Sequence, residues 1–126
     1  ARQAQTDELL LQSYLALFAS FEGTLRRVFD YQAEFGTGAL ATKCRALRAQ
    51  RHSQWIRFDE ILDCWKAVAS SGTGIGLISN HQAIRDWLAH GRCGRLPDNG
   101  RRLLDPVRLF DDLERAASVL GMSSLS

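Results

Sequence analysis

What this chain lacks narrows its chemistry before any motif does. No apolar run approaches the roughly 20 residues that a helix needs to cross a bilayer, so no membrane segment is expected. The N-terminal stretch A-R-Q-A-Q-T-D-E has no basic region followed by an apolar signal core, and a cytoplasmic location is the default expectation. Cysteines number three. Cys44, Cys64 and Cys93 are far apart, odd in number and in no spacing that suits zinc or a disulfide framework, so reduced thiols are expected. Cys44 is in helical phase with Leu40 and Leu47, and Cys64 sits beside a helical stripe, which gives both a packing role. Cys93 adjoins Arg92 in a basic turn, with no second feature to make it a nucleophile. H-E-x-x-H and C-x-x-C are absent, which argues against a metallohydrolase; no metal and no cofactor are expected. Gly72, Gly74 and Gly76 are followed by no Lys-Ser/Thr pair and preceded by no hydrophobic strand, so they read as a flexible connection, not a phosphate loop.

An excess of one charge is also missing. The net charge of +2 is too small to indicate nucleic acid, but its distribution is uneven. Lys43, Arg45, Arg48, Arg51 and Arg57 occur with no acid between Glu34 and Asp59, and read as a solvated helix face. Arg92, Arg95, Arg101 and Arg102 are accompanied only by Asp98, and these four are the candidates for holding phosphates.

What is present is helical periodicity in a length of 126 residues, the size of one domain spanning 1–126 with short disordered ends. From about Thr6 to Asp30, Leu11, Tyr14, Phe18, Phe21, Leu25 and Val28 alternate spacings of three and four, marking a long helix that forms the spine of the core. Glu22 falls near this face, where a carboxylate can pair with an Arg, although a partly exposed Glu is the commoner case. A second helix is expected from about Ala39 to Gln50, and a third through Phe58, Ile61, Leu62, Trp65 and Val68. Trp55 and Trp65 are read as core or groove residues. The stretch G-R-L-P-D-N-G-R-R is a surface connection. Asp105 as N-cap, Pro106 at the first helical position and Gly121 as terminator bound a last helix, with Phe110, Leu113, Ala117 and Leu120 inward and Asp111, Asp112 and Glu114 on an acidic outer face. Five helices without an alternating strand pattern imply an all-α antiparallel bundle.

The stretch from Ser79 to Gly94, S-N-H-Q-A-I-R-D-W-L-A-H-G-R-C-G, is the most informative. Ser79 with Gln82 forms a capping-box pattern, and Gly91 and Gly94 supply termination signals. Ile84, Trp87 and Leu88 share one face, while Arg85, Asp86 and His90 lie around the other side. Asp86 and His90 are an i,i+4 pair, so the carboxylate can orient the imidazole. Arg85 flanks them, with small Ala89 between, giving a shallow cationic surface. Arg45 and His52 form a second, looser match in the arginine run; a capped amphipathic helix and an adjacent Asp favour the first.

R-D-W-L-A-H resembles the R-x(4–6)-H signature of HEPN domains, including the polar residue after the Arg and the His-Gly ending. That resemblance implies a small helical bundle that dimerises and brings two motifs into one cleft. It further implies a metal-independent endoribonuclease of a toxin or defence system, acting on RNA and not DNA, with an antitoxin or regulatory partner. His90 is then assigned to acid or base chemistry, Arg85 to phosphate stabilisation and Asp86 to orientation, since an imidazole exchanges protons near neutrality and a guanidinium grips phosphate with paired donors. Some HEPN toxins carry R-x(4)-H-x-Y, whose Tyr accepts nucleotides from an antitoxin; Arg92 stands at that place here, so that regulation is not implied. The rival readings are a non-catalytic helical module that binds RNA or a protein through the same surface, and a bare dimerisation domain.

Overall fold

The computed structural model describes residues 2–51, 55–68, 72–92, 95–97 and 100–122. All regular structure among them is helical: α1 (Arg2–Phe35), α2 (Ala39–Gln50), α3 (Phe58–Cys64) running into a 3-10 turn (Trp65–Ala67), α4 (Gly72–Ala89), α5 (Gly100–Leu103) and α6 (Pro106–Val119). Six α-helices are thus present among the described residues where five were expected. The addition is the single turn α5, folded from the turn-rich segment after the motif, with Gly100 and Leu103 buried and Arg101 and Arg102 exposed.

The spine is α1, which continues past Asp30 because the buried phase of Tyr14, Phe18, Leu25, Val28 and Phe29 is carried on by Ala33. Its C-terminal carbonyls are met by the arginines of α2. Arg45 donates from Nε to the Ala33 carbonyl at 3.1 Å and from Nη2 to that of Gly36 at 3.0 Å, and Arg48 donates to Glu34 at 2.6 Å. Beyond them Arg51 pairs with Glu60, and Arg57 with Asp59 at 3.2 Å. The basic run is therefore tied to α1 and α3 by specific bonds, which is more than a solvated face. His52, the second member of the looser motif, lies outside the described residues.

On its other flank α1 packs against α6, which in turn packs on α4. Here the structure departs from the sequence reading. Gly72 to Ile78 form the first two turns of α4 and not a flexible connection, and Ser79 stands exposed in the helix body and not at its N-cap. Close approach is the reason: a Cβ on Gly74 would lie 3.3 Å from the Ala116 carbonyl oxygen and 3.3 Å from Val119 Cγ1, so the missing side chain lets α4 seat against α6.

The last helix begins as expected, with Asp105 Oδ1 accepting from Val107 N at 3.0 Å and Pro106 as its first residue. Its end is a Schellman motif: Met122 N donates to the Ala117 carbonyl and Gly121 N to that of Ser118, with Gly121 at φ 75°. The buried stripe is rotated relative to expectation. Leu109, Asp112, Leu113 and Ala116 point inward and Phe110 is 50% exposed, because Asp112 is drawn into the core by polar partners described below. Trp65 is fully buried and its Nε1 donates to the Leu120 carbonyl at 3.1 Å, whereas Trp55 is 68% exposed and belongs to no core. No helix among the described residues is long and apolar enough to cross a membrane.

Candidate functional site

The last turns of α4 hold the motif. Ile84 and Leu88 are buried as the periodicity requires, and the helix closes in a second Schellman motif: Arg92 N donates to the Trp87 carbonyl at 2.9 Å and Gly91 N to that of Leu88 at 3.1 Å. Gly91, at φ 75°, takes the left-handed position that the motif demands, and Arg92 follows it at φ 62°. His90 is thereby fixed as the C-cap residue, its amide donating to the Asp86 carbonyl at 3.0 Å. Its side chain is exposed and has no hydrogen-bond or ion-pair partner among the described residues.

Arg85 sits about 7.5 Å back along the helix axis, at 1.5 Å per residue. Its guanidinium carbon lies 5.3 Å from the centroid of the Phe18 ring on α1, a cation–π arrangement that holds the group against the spine. Glu22 Oε1 is 3.6 Å from Nη2 and Asp86 Oδ1 is 3.4 Å from Nε, but neither makes a hydrogen bond, and Nε is buried with no hydrogen-bond partner. Glu22 also binds Arg26 at 3.3 Å, so one carboxylate serves two guanidinium groups. The pairing of Glu22 with an arginine of the motif, the less common reading of its position, is the one observed. Asp86 leans on Arg85 and not on His90, so the expected orientation of the imidazole by this carboxylate is not realised in this arrangement. The cavities between α2 and α3 and between α1 and α6 have linings that include neither Arg85 nor His90.

Arg92 reaches across to Glu8 near the start of α1, 3.4 Å away. Arg95 is exposed, and Arg101 and Arg102 project from α5, which packs on α4. No group of three or more His, Cys, Asp or Glu suited to hold a metal occurs among the described residues.

Beneath this face lies a polar chain that the sequence reading missed. His81, one turn before Arg85, is fully buried; its Nδ1 is 2.7 Å from Tyr14 Oη and its Nε2 2.8 Å from Asp112 Oδ2, which also accepts from Arg108 Nε at 3.0 Å. The partners fix the tautomer. A carboxylate only accepts, so neutral His81 donates from Nε2 to Asp112 and accepts a hydrogen bond from the Tyr14 hydroxyl at Nδ1. Burial lowers the pKa of His81 against the raising pull of Asp112, and burial, with Asp112 nearby, raises that of Tyr14. For Asp112 burial pushes upward but is outweighed by the hydrogen bonds from His81 and Arg108, leaving its pKa below the ordinary value. The expectation of Asp112 on an acidic outer face is thus corrected. His81 at i−3 from Ile84 and i−7 from Leu88 was in phase with the buried stripe, and that was the available signal.

Through these bonds Tyr14, His81 and Asp112 tie α1, α4 and α6 together in the buried core. No family model, curated protein or solved structure matches this chain.

Proposed function

We propose that this protein is a HEPN-type, metal-independent endoribonuclease whose composite site forms when two copies bring their Arg85 faces together. The observation that carries the reading is the contrast within one helix end: a half-buried guanidinium braced on Phe18 whose Nε makes no hydrogen bond, followed by an exposed imidazole with no partner among the described residues. Arg85 supplies fixed positive charge for a phosphate, and His90 supplies a proton carrier. One copy offers one imidazole on an open surface. A symmetric pair supplies a base to take the 2′-OH proton and an acid to protonate the departing 5′-oxygen. Arg101 and Arg102 add phosphate contacts along the approach, and toxin or defence activity in the cytoplasm is the setting the resemblance suggests.

Purified protein incubated with a mixed RNA pool tests this. Cleavage should persist in EDTA, spare DNA and leave 2′,3′-cyclic phosphate and 5′-hydroxyl ends. His90→Ala and Arg85→Ala should each lower turnover by at least about a hundredfold with helix content intact. Cleavage that vanishes in EDTA, or survives in both variants, would reject the assignment.

A second reading, a non-catalytic RNA-binding or dimerisation module, is favoured by one observation: the charge of Arg85 is already faced by Glu22 and Asp86. RNA binding by wild type but not by Arg85→Ala, without cleavage, would select it.

A further inference from the structure

Phe18, Glu22 and Arg26 recur at every fourth residue of α1, so all three share one side of the helix. Phe18 braces the Arg85 guanidinium, and Glu22 lies between two such groups: its Oε1 is 3.6 Å from Arg85 Nη2, and its Oε2 is 3.4 Å from Arg26 Nε and 3.3 Å from Arg26 Nη2. Arg26 is not placed by Glu22 alone. Its Nη1 donates to the carbonyl of the buried Ile56 at 2.8 Å, which anchors the guanidinium and leaves Nε and Nη2 turned to Glu22. The side chains of Glu22, Arg26 and Arg85 are between a quarter and a third exposed, so solvent reaches the cluster.

Nε and Nη2 form the side edge of a guanidinium, an edge that takes a carboxylate or a phosphate through paired bonds. Both arginines turn that edge toward the same carboxylate, and neither is well served. The two bonds from Arg26 converge on one oxygen, at distances well beyond the roughly 2.7–2.9 Å of a strong charge-assisted bond. The Arg85 edge makes no hydrogen bond to Glu22 or to Asp86, and its buried Nε is a donor whose bond a ligand oxygen can supply. Glu22, tethered one turn from Arg26, stops short of Arg85. A phosphate carries no such tether, and its free oxygens can each accept from one edge. Asp86, whose side chain is half exposed, opposes an entering anion only weakly, because solvent screens it.

We propose that Arg26 and Arg85 form a two-arginine seat for a single phosphate group, with Arg26 as a second phosphate-binding residue and Glu22 as the internal occupant that an entering phosphate displaces toward solvent. On the ribonuclease reading above, on which this rests, the phosphate is one of the RNA backbone. Glu22 then sets a threshold. A free phosphate must compete with a tethered carboxylate and fills the seat only at millimolar concentration, whereas a phosphate of a strand already held at neighbouring positions arrives at high effective concentration.

A labelled 2′-O-methyl RNA, which lacks the attacking hydroxyl, reads binding apart from cleavage. Arg26→Gln should weaken its binding by about tenfold and lower the salt slope by about one, as the loss of a phosphate contact requires. The same change is then made in the Glu22→Gln background. If Arg26 served only to hold Glu22 away from Arg85, its replacement would have no effect once that carboxylate is gone. A phosphate-binding Arg26 should still cost about tenfold there, and a double variant that binds as tightly as its Glu22→Gln parent would overturn the proposal. Titration of the wild-type chain with inorganic phosphate, followed on the Nε–H resonances of its arginines, depends on no variant. Both Arg26 and Arg85 should shift; a shift of Arg85 alone, or of neither, would overturn the seat. Shifts of both in a protein that binds no RNA would keep the seat as a site for free phosphate and reject the RNA reading.

Discussion

At the scale of single residues, Glu22 is the group most worth changing. It faces both Arg85 and Arg26, so its carboxylate competes with any phosphate for the Arg85 guanidinium. Glu22→Gln should tighten RNA binding by about threefold to tenfold at low salt, a range set by an ion pair worth on the order of 1 kcal/mol, and titration with a labelled RNA reads it out. Weaker binding would show that Glu22 positions Arg85 instead of opposing its ligand. The effect should shrink as salt rises, since these side chains are partly solvated. In the sequence Glu22 was visible only as a polar residue at the margin of an apolar stripe, because helical phase places a residue on a face but does not say which neighbour that face meets. His81 was harder still. Its position in phase with Ile84 and Leu88 marked it as inward, yet its partners Tyr14 and Asp112 stand 67 and 31 residues away and share no local pattern with it.

Among the elements, α4 tests how packing overrides propensity. Its first turns carry three glycines, each costing a helix roughly 1 kcal/mol relative to Ala. Only one is used for contact. Gly74 lets α4 approach α6, whereas a Cβ at Gly76 would meet nothing within 4 Å. Gly76→Ala should therefore raise stability by about 0.5–1 kcal/mol, and Gly74→Val should lower it by about 1–3 kcal/mol through overpacking, both read from urea unfolding. A neutral Gly74→Val would show that the two helices separate without penalty. Caps and terminators were legible: Asp105, Pro106, Gly91 and Gly121 do locally what their residue types favour. The start of α4 was not, because glycines that look like a linker become helix only when α6 is present to cover them. The rotation of α6 has the same origin: a carboxylate counts as outward by residue type until a buried imidazole gives it a partner.

For the whole molecule, the chain from Tyr14 through His81 to Asp112 couples stability to pH. The folded pKa of His81 lies below its ordinary 6.5, so the unfolded chain binds the proton first. Stability from this group is present above pH 6.5 and is lost as pH falls through that value. Asp112, also depressed, adds a further loss below its ordinary 3.8, and Tyr14, raised, adds one at alkaline pH as the unfolded phenol ionises near 10. His81→Gln should flatten the decline between pH 7 and 5 measured by urea unfolding, and His81→Ala should cost on the order of 3 kcal/mol at pH 7 by stranding Asp112 and the Tyr14 hydroxyl. An unaltered slope in His81→Gln would assign the decline to other groups. The proposed composite site makes its own demand at this scale: light scattering at tens of micromolar should give a dimer, and Arg101→Ala with Arg102→Ala should reduce the salt dependence of RNA binding. A strict monomer with RNA present would remove the two-copy mechanism. The spacing of Arg85 and His90 could be read from the sequence, while the partners of Arg85 could not, since Phe18 and Glu22 lie on the distant helix α1. One bond within the bundle also gives it an optical handle. Trp65 is sealed in the core and hydrogen-bonded to the carbonyl of Leu120, 55 residues along the chain, while Trp55 stands in solvent. The two indoles should differ in emission wavelength and in quenching by acrylamide. With Trp55 and Trp87, the third indole of the chain, both replaced by Phe, a red shift of the remaining Trp65 emission would register release of the α6 end from the centre of the bundle.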